Sequence, residues 1–292
     1  MEKKIKQYNP WEIKYKNLVK DDEGVEGMDK YFSGEKLYGD DFSPEKTMEW
    51  INEEKEAYAK KDYGVDNNYA YDNHALNTYH GYSKIKKGKI KRAFCFGGGL
   101  GEEIRPIVDR VEELYVLEPS KIFRADNVNG KKIKYIEPLE DGKIDVEDGF
   151  FDLITCLGVL HHVPNVSFSI RELKRTLKDG GYLIIREPTV SMGDWNKHRD
   201  GVTKRERGIP LGIFQDTIKK EGFEIISSHR VMNPFSKRIF SIVDYPFNKK
   251  FTTQLDYFFS KLLSFNKRYH STRWYHKIQP QSIFYVLRAC KE

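Results

Sequence analysis

The stretch Arg92-Ala93-Phe94-Cys95-Phe96-Gly97-Gly98-Gly99-Leu100-Gly101-Glu102-Glu103 decides the fold. Its apolar and aromatic half predicts a short buried strand, which the glycines end before a helix. Gly97, Gly99 and Gly101 give a G-x-G-x-G turn, in which glycine adopts torsions that other side chains forbid and lets a ligand approach the bare backbone. The helix that follows offers free amide hydrogens and a positive dipole end. Taken alone, the turn fits a nucleotide-type site and a plain loop equally well.

An acidic residue follows the glycines along the chain. Residues 113–117 predict a second strand, and Glu118 stands at its end. A carboxylate at the end of the second strand, roughly 20 residues after the glycines, is placed to accept hydrogen bonds from ribose hydroxyls. The plain alternative is an ordinary surface acid.

Three further motifs stand downstream in a characteristic order: Phe150-Phe151-Asp152-Leu153-Ile154-Thr155-Cys156, Leu160-His161-His162-Val163 and Leu177-Lys178-Asp179-Gly180-Gly181-Tyr182-Leu183-Ile184-Ile185. With the glycine turn, this set resembles the class I S-adenosylmethionine-dependent methyltransferases, from about Lys89 to Val231. The resemblance implies S-adenosylmethionine as cofactor and S-adenosylhomocysteine as product. The chain departs from the family at Cys95, where an acidic residue usually precedes the first glycine by two places.

The pattern of elements predicts an α/β fold. Strands are expected at 90–96, 113–118, 132–136, 151–156, 182–186, 223–230 and 282–289, and helices at 102–110, 120–127, 167–177 and 210–221. Strands that alternate with helices favour a doubly wound, mostly parallel sheet whose ligands lie at the carboxyl ends of the strands. The resemblance implies seven strands in a Rossmann-like methyltransferase fold, with the last two strands forming an antiparallel pair.

The chain is expected to have four parts. Residues 1–88 form a helical N-terminal cap region, which includes a helix from Ser43 and Pro44 to about Lys61. Residues 89–231 form the core that binds the cofactor. Residues 232–280 form a basic, aromatic insertion that acts as an acceptor lid, and residues 281–292 add the last core strand.

Charge is concentrated in the insertion. The chain carries a net charge of +6, while residues 235–277 alone hold nine Lys and Arg against Asp244 and Asp256, a local charge of +7. Basic residues among aromatics bind phosphates, sugars, nucleic acid or a membrane surface. The plain alternative is a solvated helical lid.

Other features exclude classes of protein. No run of about 18 apolar residues predicts a membrane span, and Met1–Lys6 lacks the apolar stretch of a secretory signal. The cysteines Cys95, Cys156 and Cys290 lack metal-ligand spacing, so we expect buried thiols, no disulfide and no metal. A cytoplasmic location fits these features.

The resemblance, together with the residue types at the predicted strand ends, suggests three groups of site residues. Cofactor binding falls to Gly97, Gly99, Gly101, Glu118, Leu139, Glu140, Leu157 and Gly158; catalysis falls to His161, His162 and Glu187; acceptor binding falls to Asp194, Trp195, His198 and Arg199. A neutral imidazole can accept an alcohol proton near pH 7, while Trp195 can stack on a sugar and Arg199 can pair with an anion. The plain alternatives are structural turn histidines and a loop folded on itself.

These features predict an S-adenosylmethionine-dependent methyltransferase that acts on an oxygen of a small molecule or sugar. The blocks 31–42 and 192–195 resemble methyltransferases encoded with bacterial surface-polysaccharide enzymes. One alternative is an RNA methyltransferase that uses the basic 235–277 segment. Another is a cofactor-binding protein without catalysis, suggested by Cys95. Peripheral membrane contact fits the same basic segment, and no feature of the sequence indicates an oligomeric state.

Overall fold

A computed structural model describes residues 28–60, 71–139, 141–195, 197, 199, 202–239 and 246–290 of the 292-residue chain. Its α-helices are α1 (Asp29–Phe32), α2 (Pro44–Lys60), α3 (His74–Asn77), α4 (Val166–Thr176), α5 (Leu211–Lys220), α6 (Pro234–Ile239) and α7 (Lys250–Leu262). Its strands are β1 (Ile90–Phe96), β2 (Val111–Leu117), β3 (Asn127–Val128), β4 (Lys131–Ile136), β5 (Phe151–Leu157), β6 (Leu177–Pro188), β7 (Phe223–Val231) and β8 (Ser282–Ala289). No helix in the described part of the chain has the length and apolarity to cross a membrane.

One sheet contains all eight strands, in the order β3-β4-β2-β1-β5-β6-β8-β7. The five strands from β4 to β6 are parallel, and β8 pairs antiparallel with both β6 and β7. The doubly wound, mostly parallel architecture with a closing antiparallel pair is therefore confirmed. The expected number of seven strands is wrong, because β3 adds a short hairpin at the edge.

The helix predicted over residues 120–127 does not form, and β3 begins where it was expected to end. The chain makes one 3₁₀ turn at Lys121–Phe123, and then β3 pairs antiparallel with β4. Asn129 and Gly130 connect these strands with φ of 47° and 76°. Both residues of a type I′ hairpin turn need positive φ, and Asn-Gly is its preferred pair. This local signal outweighs the helical pattern before it.

Two hydrophobic cores cover the two faces of the sheet. Helices α4 and α5 close one face around residues such as Ile170 and Phe214, and the aromatic pair Phe94 and Phe151 stacks beneath them. On the other face, α3, a π-helical turn at Thr78–Tyr82 and a 3₁₀ helix at Glu102–Arg110 cover Cys95 and Leu114. Protein therefore covers both faces of the sheet, and the ends of the strands remain as the place where a ligand can bind.

The N-terminal helix α2 lies over the carboxyl edge of the sheet. Its residue Trp50 is fully buried, and the indole Nε1 donates to the carbonyl of His162 at 2.9 Å. Ser43 accepts the amide of Lys46 at 3.4 Å, as a helix N-cap does. The segment that follows β6 is bound to the same helix, because Arg205 pairs with Glu49 and Glu53. The cap and this segment thus meet above the end of β5.

Candidate active site

The candidate site lies where four parallel strands end. Strand β1 runs into the glycine turn, β2 into Glu118, β5 into Gly158 and the histidine turn, and β6 carries Glu187 near its end. Because these strands are parallel neighbours, all four ends lie at one edge of the sheet.

The three alternate glycines of the turn serve different purposes. A β-carbon on Gly97 would lie 2.5 Å from Val159 Cγ1, and one on Gly101 would lie 3.2 Å from Ile133 Cδ1, so packing requires these two glycines. At Gly99, where φ is 51°, the nearest atom to such a carbon is Phe123 Cβ at 3.8 Å. Gly99 therefore leaves the bare backbone open to a ligand.

Glu118 presents a half-buried carboxylate to this opening. Its Oε1 accepts the amide of Ser120 at 2.9 Å, and the carboxylate also accepts the Gly99 amide. Burial raises the pKa of Glu118, and the two amides and the charges of Arg124 and His162 oppose that shift only in part. A partly desolvated carboxylate in this place suits hydroxyl donors.

A second carboxylate lies beside Cys95. Glu103 is buried; it accepts the Thr155 hydroxyl and interacts with the Cys95 thiol. Burial raises the pKa of Glu103, while these hydrogen bonds and the charge of Arg186 lower it. Glu103 thus places a carboxylate beside position 95, where the resemblance leads us to expect an acidic residue.

The end of β5 is equally open. The Gly158 amide donates to the Arg186 carbonyl at 2.7 Å, and φ at Gly158 is 84°. The nearest atom to a β-carbon there would be His161 Cε1 at 3.7 Å. Arg186 is buried, and its Nη1 has no hydrogen-bond partner among the described residues. Open glycine backbone, two carboxylates and an unsatisfied guanidinium fit a zwitterionic nucleoside cofactor.

The other predicted cofactor residues are less well placed. Leu157 is buried, and its carbonyl accepts a hydrogen bond of 3.5 Å from Arg186 Nη2. Leu139 lies in the loop after β4 and is exposed, and Glu140 lies outside the described residues. Their roles stay predictions.

Glu187 holds the histidine turn. It is fully buried; one carboxylate oxygen accepts the amides of Val159 at 2.7 Å and Leu160 at 2.8 Å, and the other is 2.8 Å from His161 Nδ1. Burial raises the pKa of Glu187, but the hydrogen bonds from His161 and the amides outweigh it and keep the pKa low. These partners of Glu187 favour a positioning role, and the catalytic role expected from the sequence stays a prediction.

The two histidines belong to a polar cluster with two glutamates. His161 Nε2 lies 3.6 Å from Glu206 Oε1, and His162 Nδ1 lies 3.8 Å from Glu206 Oε2 and 3.3 Å from Glu54 Oε2. Because a carboxylate can only accept, Glu187 fixes the proton of His161 on Nδ1 and leaves the Nε2 lone pair facing Glu206. The imidazoles and carboxylates of this cluster can hold protons, and the same groups can bind metal ions.

Arg207 fixes the turn from beneath. It is fully buried, and its guanidinium donates to the carbonyls of Tyr38, Leu160 and Val163 at 2.9–3.1 Å. The guanidinium also lies 4.9 Å from the Trp50 ring centroid. The histidines are therefore anchored to both the cap and the core.

The residues predicted to bind the acceptor hold their own loop in place. Trp195 stacks on Phe32 at a centroid distance of 4.5 Å, and its Nε1 donates to the Ser191 carbonyl. Arg199 donates to four carbonyl oxygens of residues 192–206, and Asp194 pairs with Lys197 at 3.1 Å. His198 lies outside the described residues. Direct acceptor contacts by Trp195 and Arg199 stay predictions, and their observed partners favour the loop-folding alternative.

Five site residues were not predicted from the sequence: Glu54, Glu103, Arg186, Glu206 and Arg207. Three of them come from helix α2 and from the segment after β6, which approach the site only through tertiary packing. Glu103 had a local signal, since it follows the glycine turn directly.

Comparison with known proteins gives a consistent assignment. Residues 94–185 match the family model described as a methyltransferase domain. The ubiquinone biosynthesis O-methyltransferase of Shewanella pealeana is 34% identical over 91 residues, which are 30% of this chain and 39% of that protein. The enzyme of the same name from Pectobacterium atrosepticum is 24% identical over 134 residues, 45% and 55% of the two chains. The matches thus span about half or less of these relatives.

Solved structures are also similar to this chain. An S-adenosylmethionine-dependent methyltransferase from Mesorhizobium loti gives a TM-score of 0.48 at 16% identity, over 71% of this chain and 94% of its own. A phosphoethanolamine N-methyltransferase from Haemonchus contortus, solved with S-adenosylmethionine, gives a TM-score of 0.47 at 14% identity. The match covers 74% of this chain and 52% of that one. The family match and the sequence motifs agree: residues 94–185 of this chain match a methyltransferase domain.

Proposed function

We propose that this protein transfers a methyl group from S-adenosylmethionine to an oxygen of a small acceptor. The observation that carries the proposal is the composition of one sheet edge. There, the open backbone at Gly99 and Gly158 and the Glu118 carboxylate stand beside the cluster of His161, His162 and Glu206. A nucleoside-binding half and a proton-handling half thus share one site. The names of the two O-methyltransferase relatives agree with this choice of acceptor atom.

The chain's own residues would mainly bind and orient. The Glu118 carboxylate would accept the ribose hydroxyls, Gly99 would admit the backbone approach, and Arg186 and Glu103 would pair with the two charges of an amino acid group. The cofactor, when bound, supplies an activated methyl group, so the protein needs only to align the acceptor, exclude water and remove a proton.

The histidine turn would receive the acceptor. A neutral His162 can take the proton of an acceptor hydroxyl. Helix α2 and the segment after β6 cover this turn from above, since Arg205 and Thr203 hydrogen-bond the helix glutamates. A covered site favours a small acceptor over an extended nucleic acid.

The test pairs turnover with cofactor binding. Transfer of a labelled methyl group to a panel of phenols, catechols and sugars should identify an acceptor. On that acceptor, His162→Gln should lower kcat by roughly 10²–10⁴, as loss of a proton acceptor does. Its affinity for S-adenosylhomocysteine should stay within about twofold of the wild type, which is under 0.5 kcal/mol.

Two results would overturn the proposal. Turnover on RNA alone, with steep dependence on salt, would favour the nucleic acid alternative. Tight cofactor binding with no transfer to any acceptor class would favour a binding protein without catalysis.

A further inference from the structure

We propose that Glu54, His161, His162 and Glu206 form a binding site for one divalent transition metal ion of the zinc type. The ligand atoms of His161, His162 and Glu206 all lie within 4.8 Å of one another. Zinc–nitrogen and zinc–oxygen bonds of about 2.0–2.1 Å in a tetrahedral site place ligand atoms roughly 3.3–3.4 Å apart. The separations between the carboxylate oxygens and the imidazole nitrogens here are 3.3, 3.6 and 3.8 Å.

The surroundings of the cluster match those of a built metal site. His161 donates its other ring nitrogen to buried Glu187, the arrangement that fixes the tautomer of metal-binding histidines. Glu54 Oε2 is buried, faces His162 and accepts no hydrogen bond from the described residues. Two imidazoles with one or two carboxylates suit Zn²⁺, Fe²⁺ or Mn²⁺ rather than the all-oxygen sites of Ca²⁺.

This metal site adds to the proposed function. Only the role of the metal in methyl transfer rests on that proposed function; metal binding itself does not. A metal bound here would lower the pKa of a coordinated acceptor hydroxyl, and the proton would leave to solvent. His162 would then serve as a ligand rather than as the proton acceptor. Metal binding itself is measured without acceptor or cofactor, so failure of the metal site and failure of the methyltransferase assignment are distinguishable.

The experiment is titration of metal-free, tag-free protein with Zn²⁺ by calorimetry, with the visible spectrum of the Co²⁺ form as a second readout. Wild type should bind one equivalent, and Glu206→Gln and His162→Gln should each weaken binding at least tenfold. Glu53→Gln is the matched control, because its carboxylate is a neighbour on α2 that pairs with Arg205 instead. The control should bind as the wild type does. Absence of stoichiometric binding, or equal binding by all variants, would overturn the proposal.

A second inference concerns helix α7, whose polarity is reversed. Its buried residues are Thr252, Thr253, Asp256 and Ser260. Its outward stripe is apolar: Phe251, Phe258 and Leu262 are 73%, 60% and 62% exposed, and Phe265 just beyond the helix is 78% exposed. A helix that packs on a protein core normally turns its apolar face inward.

Asp256 explains how the helix is held in this orientation. Its two carboxylate oxygens accept the amides of Met232 and Asn233 at 2.8 Å each, which fastens α7 to the end of β7. The acidic residue of the helix is thereby removed from the surface, whereas Lys249, Lys250, Lys261 and Lys267 are exposed around the apolar stripe. The surface thus combines exposed aromatics with positive charge.

We infer that this surface, defined as Phe251, Phe258, Leu262, Phe265 and the four lysines, docks on an anionic lipid bilayer. Apolar side chains would enter the headgroup boundary, and the lysines would attract the negatively charged headgroups. The charge complementarity selects an anionic membrane over a neutral one.

Cosedimentation with vesicles tests this surface. Vesicles rich in phosphatidylglycerol should bind the wild type, and pure phosphatidylcholine vesicles should not. The pair Phe258→Ser and Phe265→Ser should reduce binding at least tenfold, whereas Ile122→Ser, at an exposed apolar residue elsewhere, should not. Equal binding by both variants would overturn the inference. So would a dimer in sedimentation velocity that depends on Phe258, since a second copy would then be the occupant.

Discussion

At the scale of single residues, the candidate site depends on carboxylates that differ in their partners. Glu118 faces the glycine turn, Glu187 lies beneath the histidine turn, and Glu206 faces both imidazoles. Each makes hydrogen bonds that the other two do not, so substitution of each should give a distinct defect.

Glu118→Ala should weaken binding of S-adenosylhomocysteine at least tenfold. Charge-assisted hydrogen bonds to ribose hydroxyls contribute roughly 1.5–3 kcal/mol each, and about 1.4 kcal/mol is a factor of ten. Calorimetric titration measures this. Glu113→Ala is the control, because Glu113 lies on the same strand but pairs with Lys134 at the surface. Equal affinity in the two variants would place the ribose elsewhere.

Glu187→Gln should reverse the tautomer of His161. The amide oxygen can still accept from Val159 and Leu160, but the new NH₂ group donates, so Nδ1 must become the acceptor and Nε2 must carry the proton. Nitrogen NMR of the labelled imidazole reports the tautomer directly. Zinc binding should also weaken, since the ligand lone pair is lost. An unchanged His161 spectrum would contradict the geometry described here.

At the scale of elements, the sequence predicted what local patterns determine. Strands β1, β2, β5 and β8 and helices α4 and α5 lie within about two residues of their expected bounds, because apolar runs and glycines punctuate them. The predicted helix at 102–110 is 3₁₀, with Pro106 inside it. The helix expected over 120–127 does not form, because the Asn129-Gly130 turn folds β3 back onto β4.

Only the site residues that belong to the sequence motifs could be predicted. The glycine turn, Glu118 and the histidine turn were found, since each directly follows a predicted strand. Glu54 and Glu206 were not found, because long-range packing around Trp50 and Arg207 brings them to the histidines. The expectation that no metal binds rested on cysteine spacing and did not consider such a cluster.

The π-helical turn should make the fold sensitive to acid. His80 is buried, and neither of its ring nitrogens has a hydrogen-bond partner among the described residues. Burial lowers the pKa of His80 to about 3, and the nearby charges of His229 and Lys84 add to the shift. Tyr257 on α7 packs against the ring without neutralising it.

The pKa of His80 is about 3 in the folded state and 6.5 in the unfolded state. The stability that this difference contributes is fully present above pH 6.5 and is lost as the pH falls from 6.5 toward 3. Between pH 7 and pH 5 the loss should be about 2 kcal/mol, at roughly 1.36 kcal/mol per pKa unit. His80→Phe keeps a ring against Phe284 and removes the titrating group. Between pH 7 and pH 5, the free energy of unfolding in urea should therefore fall by about 2 kcal/mol less in this variant than in the wild type. Parallel pH profiles for the two proteins would contradict the assignment.

At the scale of the whole molecule, the cofactor motifs and helix α7 of the basic insertion lie against different strands of the sheet. The glycine turn follows β1, near the middle of the strand order, whereas α7 packs on β7 at the edge. Another part of the insertion contacts the cap and the segment after β6: the ring centroids of His270 and Phe32 lie 4.5 Å apart, and the Tyr269 hydroxyl donates to the Gly208 carbonyl at 2.7 Å. The division into cap, core and lid remains a prediction, and these contacts favour it for the region around residue 270.

The most direct test of the central claim, that the strand ends hold S-adenosylmethionine, is calorimetric titration of the protein with S-adenosylhomocysteine. Wild type should bind in the micromolar range, about −8 kcal/mol. Gly99→Arg should abolish binding by filling the backbone approach. Gly130→Arg, at another positive-φ glycine with no atom within 4 Å of a β-carbon, should bind as the wild type does. Failure of the wild type to bind, or normal binding by Gly99→Arg, would contradict the account.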